Sequence, residues 1–395
     1  MWRIEESCDM IVAKNGGRMP VRDVKYIMLV EALKKDILGG KYDARNPFPS
    51  MRALISRFKL SKTTVQHALD DLAHQGLISR KQGRGTFVTS QASSRKIGLM
   101  LSGLTYSEYF QPIATAIMKL ARDAGYEPCF GAVQSRDSAE RLHDAREICA
   151  EFIRNRVAGV IYHPLDYAFD SGETNRQILS VFKKARMPVI LFDSDVEVAP
   201  HRSDYDIVSI DNALAGERLA RHMIDNGARN VHFLLKPNWM PNALLRVRGV
   251  MNAVVDRGLQ WSHKNVFVAD PHDEGLARQL FRRRPRPDAV ICENDTLAAE
   301  FMKTLSKIGL KIPDDVMLAG FDDVNIARLL APSLTSIHQP CEQLAAMAFG
   351  RLLTRIADPT LPCQSFYVPA ALVERQSSRC RQKNGSEKGK PRRKG

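Results

Sequence analysis

The order of apolar and polar positions gives the chain two textures. Through residue 88 the apolar residues recur at helical spacing in short runs, and from Lys96 onward brief apolar strands alternate with amphipathic helices. In the first part, Val24, Ile27, Val30, Leu33, Lys34 and Ile37 leave one apolar seam and predict a helix over 21–39, terminated by Gly39–Gly40. Leu54, Ile55 and Phe58 predict a second helix, with Ser50 behind Pro49 as its N-cap. Lys59–Leu60 turn the chain. Ser61 then caps a third helix carrying Val65, Ala68, Leu69 and Leu72 on one face, and Gly76 stops it. Leu77–Arg80 and Gly85–Val88 follow as two short strands around Lys81–Gln82–Gly83–Arg84. The sum is a helix–turn–helix with a β-wing, an α+β unit.

From Lys96 the pattern predicts strands at 96–101, 126–133, 158–163, 187–193 and 206–211, separated by helices at 110–124, at 137–156, up to Ala185, and at 212–226. A second series places strands at 230–235, 265–268, 288–292 and 316–321 between helices at 242–257, 274–283 and 295–308. A helix at 340–357 and a strand near 365–368 close it. Strand–helix alternation predicts parallel sheets covered by helices on both faces. The units are too many for one sheet, so the expectation is an α/β body of two doubly wound lobes with a cleft between them. Ligands of such sheets bind at the carboxyl ends of the strands.

The polar residues cluster at those ends. Asp193 follows one strand, Glu293–Asn294–Asp295 another and Asp322–Asp323 a third, while Arg246 lies one turn into helix 242–257 and His163 follows strand 158–162. Converging carboxylates, an amide and a guanidinium suit a polyhydroxylated ligand, because each carboxylate accepts two hydroxyl hydrogen bonds and Arg donates as a fork. Tyr106, Tyr109, Phe110 and Trp239 are aromatic candidates for the apolar face of a sugar. Asp211, just ahead of helix 212–226, reads as a helix cap. In the N-terminal unit, Lys62, Thr63, Thr64, Gln66 and His67 lie near the start of the third helix and are of a length to reach base edges or phosphates in a major groove. The wing tip, with two glycines and two cations, suits close approach to a DNA backbone or minor groove.

Charge sharpens the division. The net charge of +14 is concentrated at the ends of the chain: residues 1–95 hold 17 Lys/Arg against 9 Asp/Glu, residues 375–395 hold 9 against 1, and the body between them is close to neutral. A basic head on a neutral body fits a DNA-binding head on a core that does not bind DNA. The partition read from these shifts is an extension at 1–20, a winged helix–turn–helix at 21–88, a polar linker at 89–95, a two-lobed domain at 96–375 and a basic disordered tail at 376–395. The seven cysteines, at 8, 129, 149, 292, 341, 363 and 380, form no CxxC pair and no metal spacing with His, and read as reduced thiols of a cytoplasmic protein. MWRIEESCDM lacks the basic start and apolar core of a secretory leader, and no apolar run is long enough to span a membrane. The expectation is a cytoplasmic protein with no membrane partner, no metal and no cofactor.

Two family resemblances attach to these motifs. The succession PS-x-R-x-L, SKTTV-x-x-AL-x-x-L, GLI-x-R and QGRGTFV over roughly 24–88 closely resembles the GntR family of bacterial winged-helix regulators. The resemblance implies DNA contacts at Arg52, Lys62, Thr63, Thr64 and Gln66 and at the wing residues Gln82, Gly83 and Arg84. Position 66 is often Arg in that family, and Gln there favours an adenine edge over guanine. Residues 96–375 resemble the LacI/GalR-type regulatory domain, similar to periplasmic sugar-binding proteins, through FDSD, SIDN-x-x-AGE, RVRGV, CENDTLAA, GLKIPDDVMLAGFDD and PSLTSIHQP. This second resemblance implies ligand contacts at Asp193, Arg246, Asn294, Asp295 and Asp322, with His163 and Tyr109 beside them. The loop SGLTYSEYF departs from the commoner NPFF.

The two together resemble the arabinose-repressor arrangement: a homodimeric, sequence-specific repressor whose affinity for double-stranded operator DNA is set by a small ligand, a carbohydrate in the first reading and a nucleoside or purine in the alternative. A GntR-fused enzyme using pyridoxal phosphate would need a Schiff-base lysine in an aminotransferase setting, and none is found; GxSxG, HExxH and Walker A motifs are also missing. A periplasmic solute-binding protein would not carry the DNA-binding head.

Overall fold

The computed structural model describes residues 21–38, 41–42, 47–81, 85–89, 96–101, 107–133, 138–165 and 171–379. The expected extension 1–20, the wing tip Gln82–Gly83–Arg84, Tyr106, nearly all of the linker and the tail from Cys380 lie outside the described residues.

The head comprises α1 (Val21–Leu38), α2 (Met51–Phe58), α3 (Lys62–His74), β1 (Ile78–Lys81) and β2 (Gly85–Val88). Ser50 and Ser61 cap α2 and α3 as expected, each accepting a backbone N–H at 3.2 Å. The sharp turn between them is made by Lys59 in a left-handed conformation (φ 51°). Gly76 ends α3 at φ 71°, a conformation that a side chain would strain. Leu54, Val65, Leu69 and Leu72 pack with Leu29, Val30, Leu33 and Ile37 of α1 in one core. The seam of α1 is rotated from the expected one: Leu29 is buried and Ile27 only half-buried. β1 and β2 pair antiparallel with Ile78 opposite Val88.

The body begins with β3 (Lys96–Met100), α4 (Phe110–Asp123), β4 (Glu127–Gly131), α5 (Ser138–Arg154), β5 (Val160–Tyr162), α6 (Ser171–Lys184), β6 (Val189–Phe192) and β7 (Asp206–Ile210). It continues with α7 (Asn212–Asp225), β8 (Val231–Leu235), α8 (Pro241–Asp256), β9 (Val266–Val268), α9 (Glu274–Arg282), β10 (Ala289–Cys292), α10 (Asp295–Lys307) and β11 (Met317–Asp322). The last elements are α11 (Asn325–Leu329), β12 (Thr335–His338), α12 (Cys341–Ala357), β13 (Ser365–Val368) and β14 (Ala371–Val373). They form two six-stranded sheets. The first runs β13-β7-β6-β5-β3-β4, all parallel; the second runs β14-β12-β11-β10-β8-β9, parallel except for β14. This is the two-lobed doubly wound arrangement that the alternation predicts. The pattern did not show β12, β14 or α11. They are short; β12 is held between β11 and β14, and β14 by its pairing with β12.

The chain passes between the sheets after β7, after β12 and between β13 and β14. These passages form the hinge and put the carboxyl ends of both sheets on one cleft. The return into the first lobe is fixed by a buried charge. Asp206 of β7 accepts from Arg351 at 3.0 and 3.1 Å and from Arg355 at 2.9 Å, both on α12, and from the backbone of Gln364 at 2.8 Å. A buried carboxylate with this many donors carries its compensation with it.

In the second lobe α7 and α8 touch backbone to backbone. A Cβ on Gly216 would lie 2.2 Å from the carbonyl oxygen of Arg246, and one on Gly249 would lie 1.8 Å from that of Ala213. Only glycine permits this approach, which places Arg246 against the cleft. Gly350 in α12 faces open space. The expected outcome is that Gly249→Ala destabilises the two-lobed body by about 2–3 kcal/mol through overpacking. Gly350→Ala should be stabilising by about 0.5–1 kcal/mol. Denaturant unfolding of the two variants checks the contrast.

Candidate ligand cleft and nucleic-acid interface

At the head, the start of α3 is a cluster of hydroxyls and cations. The Ser61 hydroxyl lies 2.8 Å from those of Thr63 and Thr64. Lys62, Thr63 and His67 are exposed, as is Arg52 on α2; Thr64 and Gln66 are half-buried. Free N–H groups and a positive dipole end make such a terminus attractive to phosphate. Gln66 is not free. Its Nε2 donates to both carboxylate oxygens of Asp70 at 2.9 Å, and its Oε1 accepts from Arg80 Nη2 at 3.3 Å. Arg80 also pairs with Asp70. Sequence reasoning passed over this unit, although Gln66 and Asp70 are one helical turn apart and therefore neighbours on one face.

At the cleft, the first lobe contributes Asp193, His163 and Tyr109. Asp193 directly follows β6 and turns through a left-handed backbone (φ 67°) that aims its carboxylate inward. It accepts from the Tyr109 hydroxyl at 3.2 Å and from Nδ2 of Asn242, across the cleft, at 2.8 Å, and His163 Nε2 is 3.7 Å away. The Tyr109 hydroxyl is also 3.0 Å from Gln339 Oε1, and Gln339 Nε2 donates to Asp322 at 2.7 Å. Asp322 ends β11 at φ 103°, a strained conformation for a residue with a side chain. A continuous polar chain therefore runs from Asn242 through Asp193, Tyr109 and Gln339 to Asp322, joining both lobes and the hinge. Beside it lies a cavity of about 650 Å³, lined among others by Tyr109, Gln111, Asp322, His338 and Gln339, of a size that takes a small molecule.

Arg246 is buried and held by three partners: Asn212 Oδ1 at 2.8 Å, the carbonyl of Glu293 at 2.6 Å and the face of Phe321, 4.4 Å from its centroid. The Phe110 ring packs against His163 at 4.5 Å between centroids, the two planes tilted by 59°. The structure thus brings together Asp193, His163, Tyr109, Asp322 and Arg246. Two of the expected contacts are engaged elsewhere. Asp295 is fully buried under β11 and β12, where Ser336 donates to it at 2.6 Å and Val324 N–H at 3.1 Å, close against Gly320; this corrects its expected place in the cleft. The side-chain oxygen of Asn294 caps α10 through Leu297 N–H at 2.9 Å, the capping role of an Asn before a helix. Asp211 caps α7 as expected. Asp323, in turn, is taken by Arg328, Arg375 and His338. The sequence reading missed Gln339 and Asn242. Asn242 precedes Arg246 by four positions and so shares its helix face, and Gln339 stands in the SIHQP motif.

The two acidic groups are driven apart. Burial pushes the Asp193 carboxyl up, but His163, Arg246 and the Tyr109 hydroxyl outweigh it and hold the carboxyl below its ordinary value of 3.8. Burial raises Asp322 above that value; Arg246 offsets part of the rise and the charge of Asp193 adds to it. Burial, then the charges of Asp193 and Asp322, push the Tyr109 phenol well up, so it stays a hydrogen-bond donor.

Opposite pH signatures result from linkage. Asp193, depressed in the folded state, stabilises the fold above the unfolded carboxylate range, and that contribution is lost as pH falls through its folded value. Asp322, raised, lowers stability as pH climbs from the unfolded value through the folded one. Asp193→Asn is therefore expected to cost about 1–3 kcal/mol near neutral pH. Asp322→Asn should equal or exceed the wild type there, with the difference shrinking as the solution is acidified. Thermal unfolding of the three proteins from about pH 8 down to about pH 3, across the unfolded carboxylate value and toward the folded value of Asp193, checks both signs.

Comparison with known proteins agrees with this architecture. The model of the bacterial regulatory proteins of the gntR family matches residues 25–88, and that of a periplasmic binding protein-like domain matches residues 220–378. The HTH-type transcriptional repressor PurR of Salmonella newport (strain SL254) is 28% identical over 289 residues, covering 72% of this chain and 80% of the relative. The transcription regulator CcpA of Lactococcus lactis superposes with a TM-score of 0.62 at 19% identity, over 72% of this chain and 100% of that one. A transcriptional regulator CelR–cellobiose complex superposes with a TM-score of 0.61 at 20% identity, over 91% of this chain and 100% of that one. These two show the shared fold. The chain thus joins a head similar to the gntR family of bacterial regulatory proteins, matched over residues 25–88, to a body similar to periplasmic binding protein-like domains, matched over residues 220–378.

Proposed function

We propose that this protein is a sequence-specific transcriptional repressor whose affinity for double-stranded operator DNA is set by a small polyhydroxylated ligand, a carbohydrate, bound in the interlobe cleft. The observation that carries the reading is the polar chain Asn242–Asp193–Tyr109–Gln339–Asp322, which starts in the second lobe, passes through the first and returns by way of the hinge to the second, beside a ligand-sized cavity. Carboxylates and amides are the partners that sugar hydroxyls require, and Arg246 supplies a fixed cation behind them. A ligand inserted among these groups changes the bonds that hold the lobes together. It therefore has different interaction energies with two lobe arrangements, which is what ligand control of a remote head requires.

The protein works as a homodimer that presents two heads to a two-fold operator, in the cytoplasm where the DNA is, without cofactor or catalysis. Arg52, Lys62, Thr63 and Thr64 supply phosphate and groove contacts. Among the described residues no helix is long and apolar enough to cross a membrane. A second ligand class is nucleosides and purines, for which Tyr109 supplies an aromatic residue in the lining of the cavity.

The test is a thermal-shift panel of pentoses, hexoses, deoxysugars, sugar acids, nucleosides and purines on the wild type and on Asp322→Ala. A ligand at 100 times its Kd should stabilise the effector domain by about 2.7 kcal/mol, and the effect should be lost in the variant. A hit among nucleosides or purines overturns the carbohydrate assignment and leaves the regulator. With a hit in hand, linkage demands that operator DNA change the affinity for that ligand by the same factor by which the ligand changes DNA affinity; a one-sided effect overturns the coupling.

A further inference from the structure

The Gln66–Asp70–Arg80 unit bears on which base the head reads, a question that rests on the DNA-binding reading of the head. A glutamine reads adenine through the edge formed by its Nε2–H and Oε1. In this head both atoms are occupied within the protein: Nε2 by the two oxygens of Asp70 at 2.9 Å, and Oε1 by Arg80 Nη2 at 3.3 Å. The network also fixes the amide orientation, since a flipped amide would set its oxygen against a carboxylate and its N–H groups against a guanidinium. Arg80 Nη1 closes the ring on Asp70. The three residues come from the recognition helix and the first wing strand, and Asp70 is the member that holds the other two. A guanidinium carries five N–H groups, so Arg80 keeps its Nε–H and its outer Nη–H donors after these bonds are made. Paired donors of this kind match O6 and N7 of guanine.

We propose that Asp70 is a specificity-determining positioning residue: it withholds the reading edge of Gln66 and presents Arg80 as the donor in its place, so that the head selects guanine where an unrestrained Gln66 would select adenine. The carboxylate of Asp70 would repel phosphate if it entered the groove alone; paired with Arg80, it enters as part of a neutral unit.

The experiment is selection of the full-length protein on a library of randomised DNA duplexes, followed by sequencing, for the wild type, Asp70→Ala, Asp70→Asn, Arg80→Ala and the double variant Asp70→Ala/Gln66→Ala. Thermal unfolding of each confirms that the head is folded. The expected result is guanine at one position of the wild-type site. In Asp70→Ala and Asp70→Asn that position should shift toward adenine by about tenfold, and the double variant should abolish the new preference. A head in which Asp70 only adds stability would bind more weakly without moving the preference at one position, which overturns the proposal. Loss of affinity in Arg80→Ala that is equal for every sequence marks a phosphate contact and also overturns it. A folded wild type that enriches no duplex overturns the DNA-binding reading itself, and this proposal with it; a wild type that enriches a site with adenine at that position overturns this proposal alone.

Discussion

The body of this protein is organised around one buried carboxylate. Asp193 is almost wholly removed from water, and a charge in that position must be compensated or it will take up a proton. The compensation comes from His163 and Tyr109 in its own lobe and from Asn242 in the other. The electrostatic requirement of one side chain is thereby converted into a mechanical link between two lobes. The link extends through Tyr109 to Gln339 on the hinge and on to Asp322. On the proposed function, a molecule that offers hydroxyls to these groups replaces internal bonds with its own, and the lobe arrangement responds to that exchange.

Such an exchange needs rigid walls. The glycine contacts of α7 and α8 bring two helix backbones together, fixing the position of the turn that carries Arg246. The Asp206–Arg351–Arg355 cluster anchors the returning helix to the first sheet. The hinge passages are short, and the central strands of the sheets on either side are fully buried. The positive φ angles at Asp193 and Asp322 belong to the same economy: local strain at a strand end aims a carboxylate, and the surrounding packing sustains it.

The head uses polar networks differently. Its carboxylates restrain side chains that would otherwise search for partners. Asp71 holds Tyr26, Asp36 holds Lys41, Tyr42 and Arg57, and Asp70 holds Gln66 and Arg80. In a small domain with a strong positive charge, these acidic residues order the cations and leave Lys62, Thr63 and Arg52 exposed.

The sequence by itself determined the elements whose causes are local. Serine caps, terminating glycines, helical apolar periodicity and strand–helix alternation act within a few residues, and the head helices, both wing strands and most of the body's elements lie where these signals place them. The acidic residues at strand ends were legible for the same reason. Only the tertiary structure decided what depends on distant partners. β14 is a strand because it pairs with β12, which is itself held against β11, at a separation that no local pattern encodes. Asp295 and Asp322 look alike along the chain, yet one is sealed under a sheet by Ser336 while the other borders the cavity. Gln339 and Asn242 gain importance only because folding brings them to Tyr109 and Asp193, and Gln66 is restrained because a wing strand returns Arg80 to it. A side chain's type sets which bonds it can make; its neighbours in space set which of them it makes.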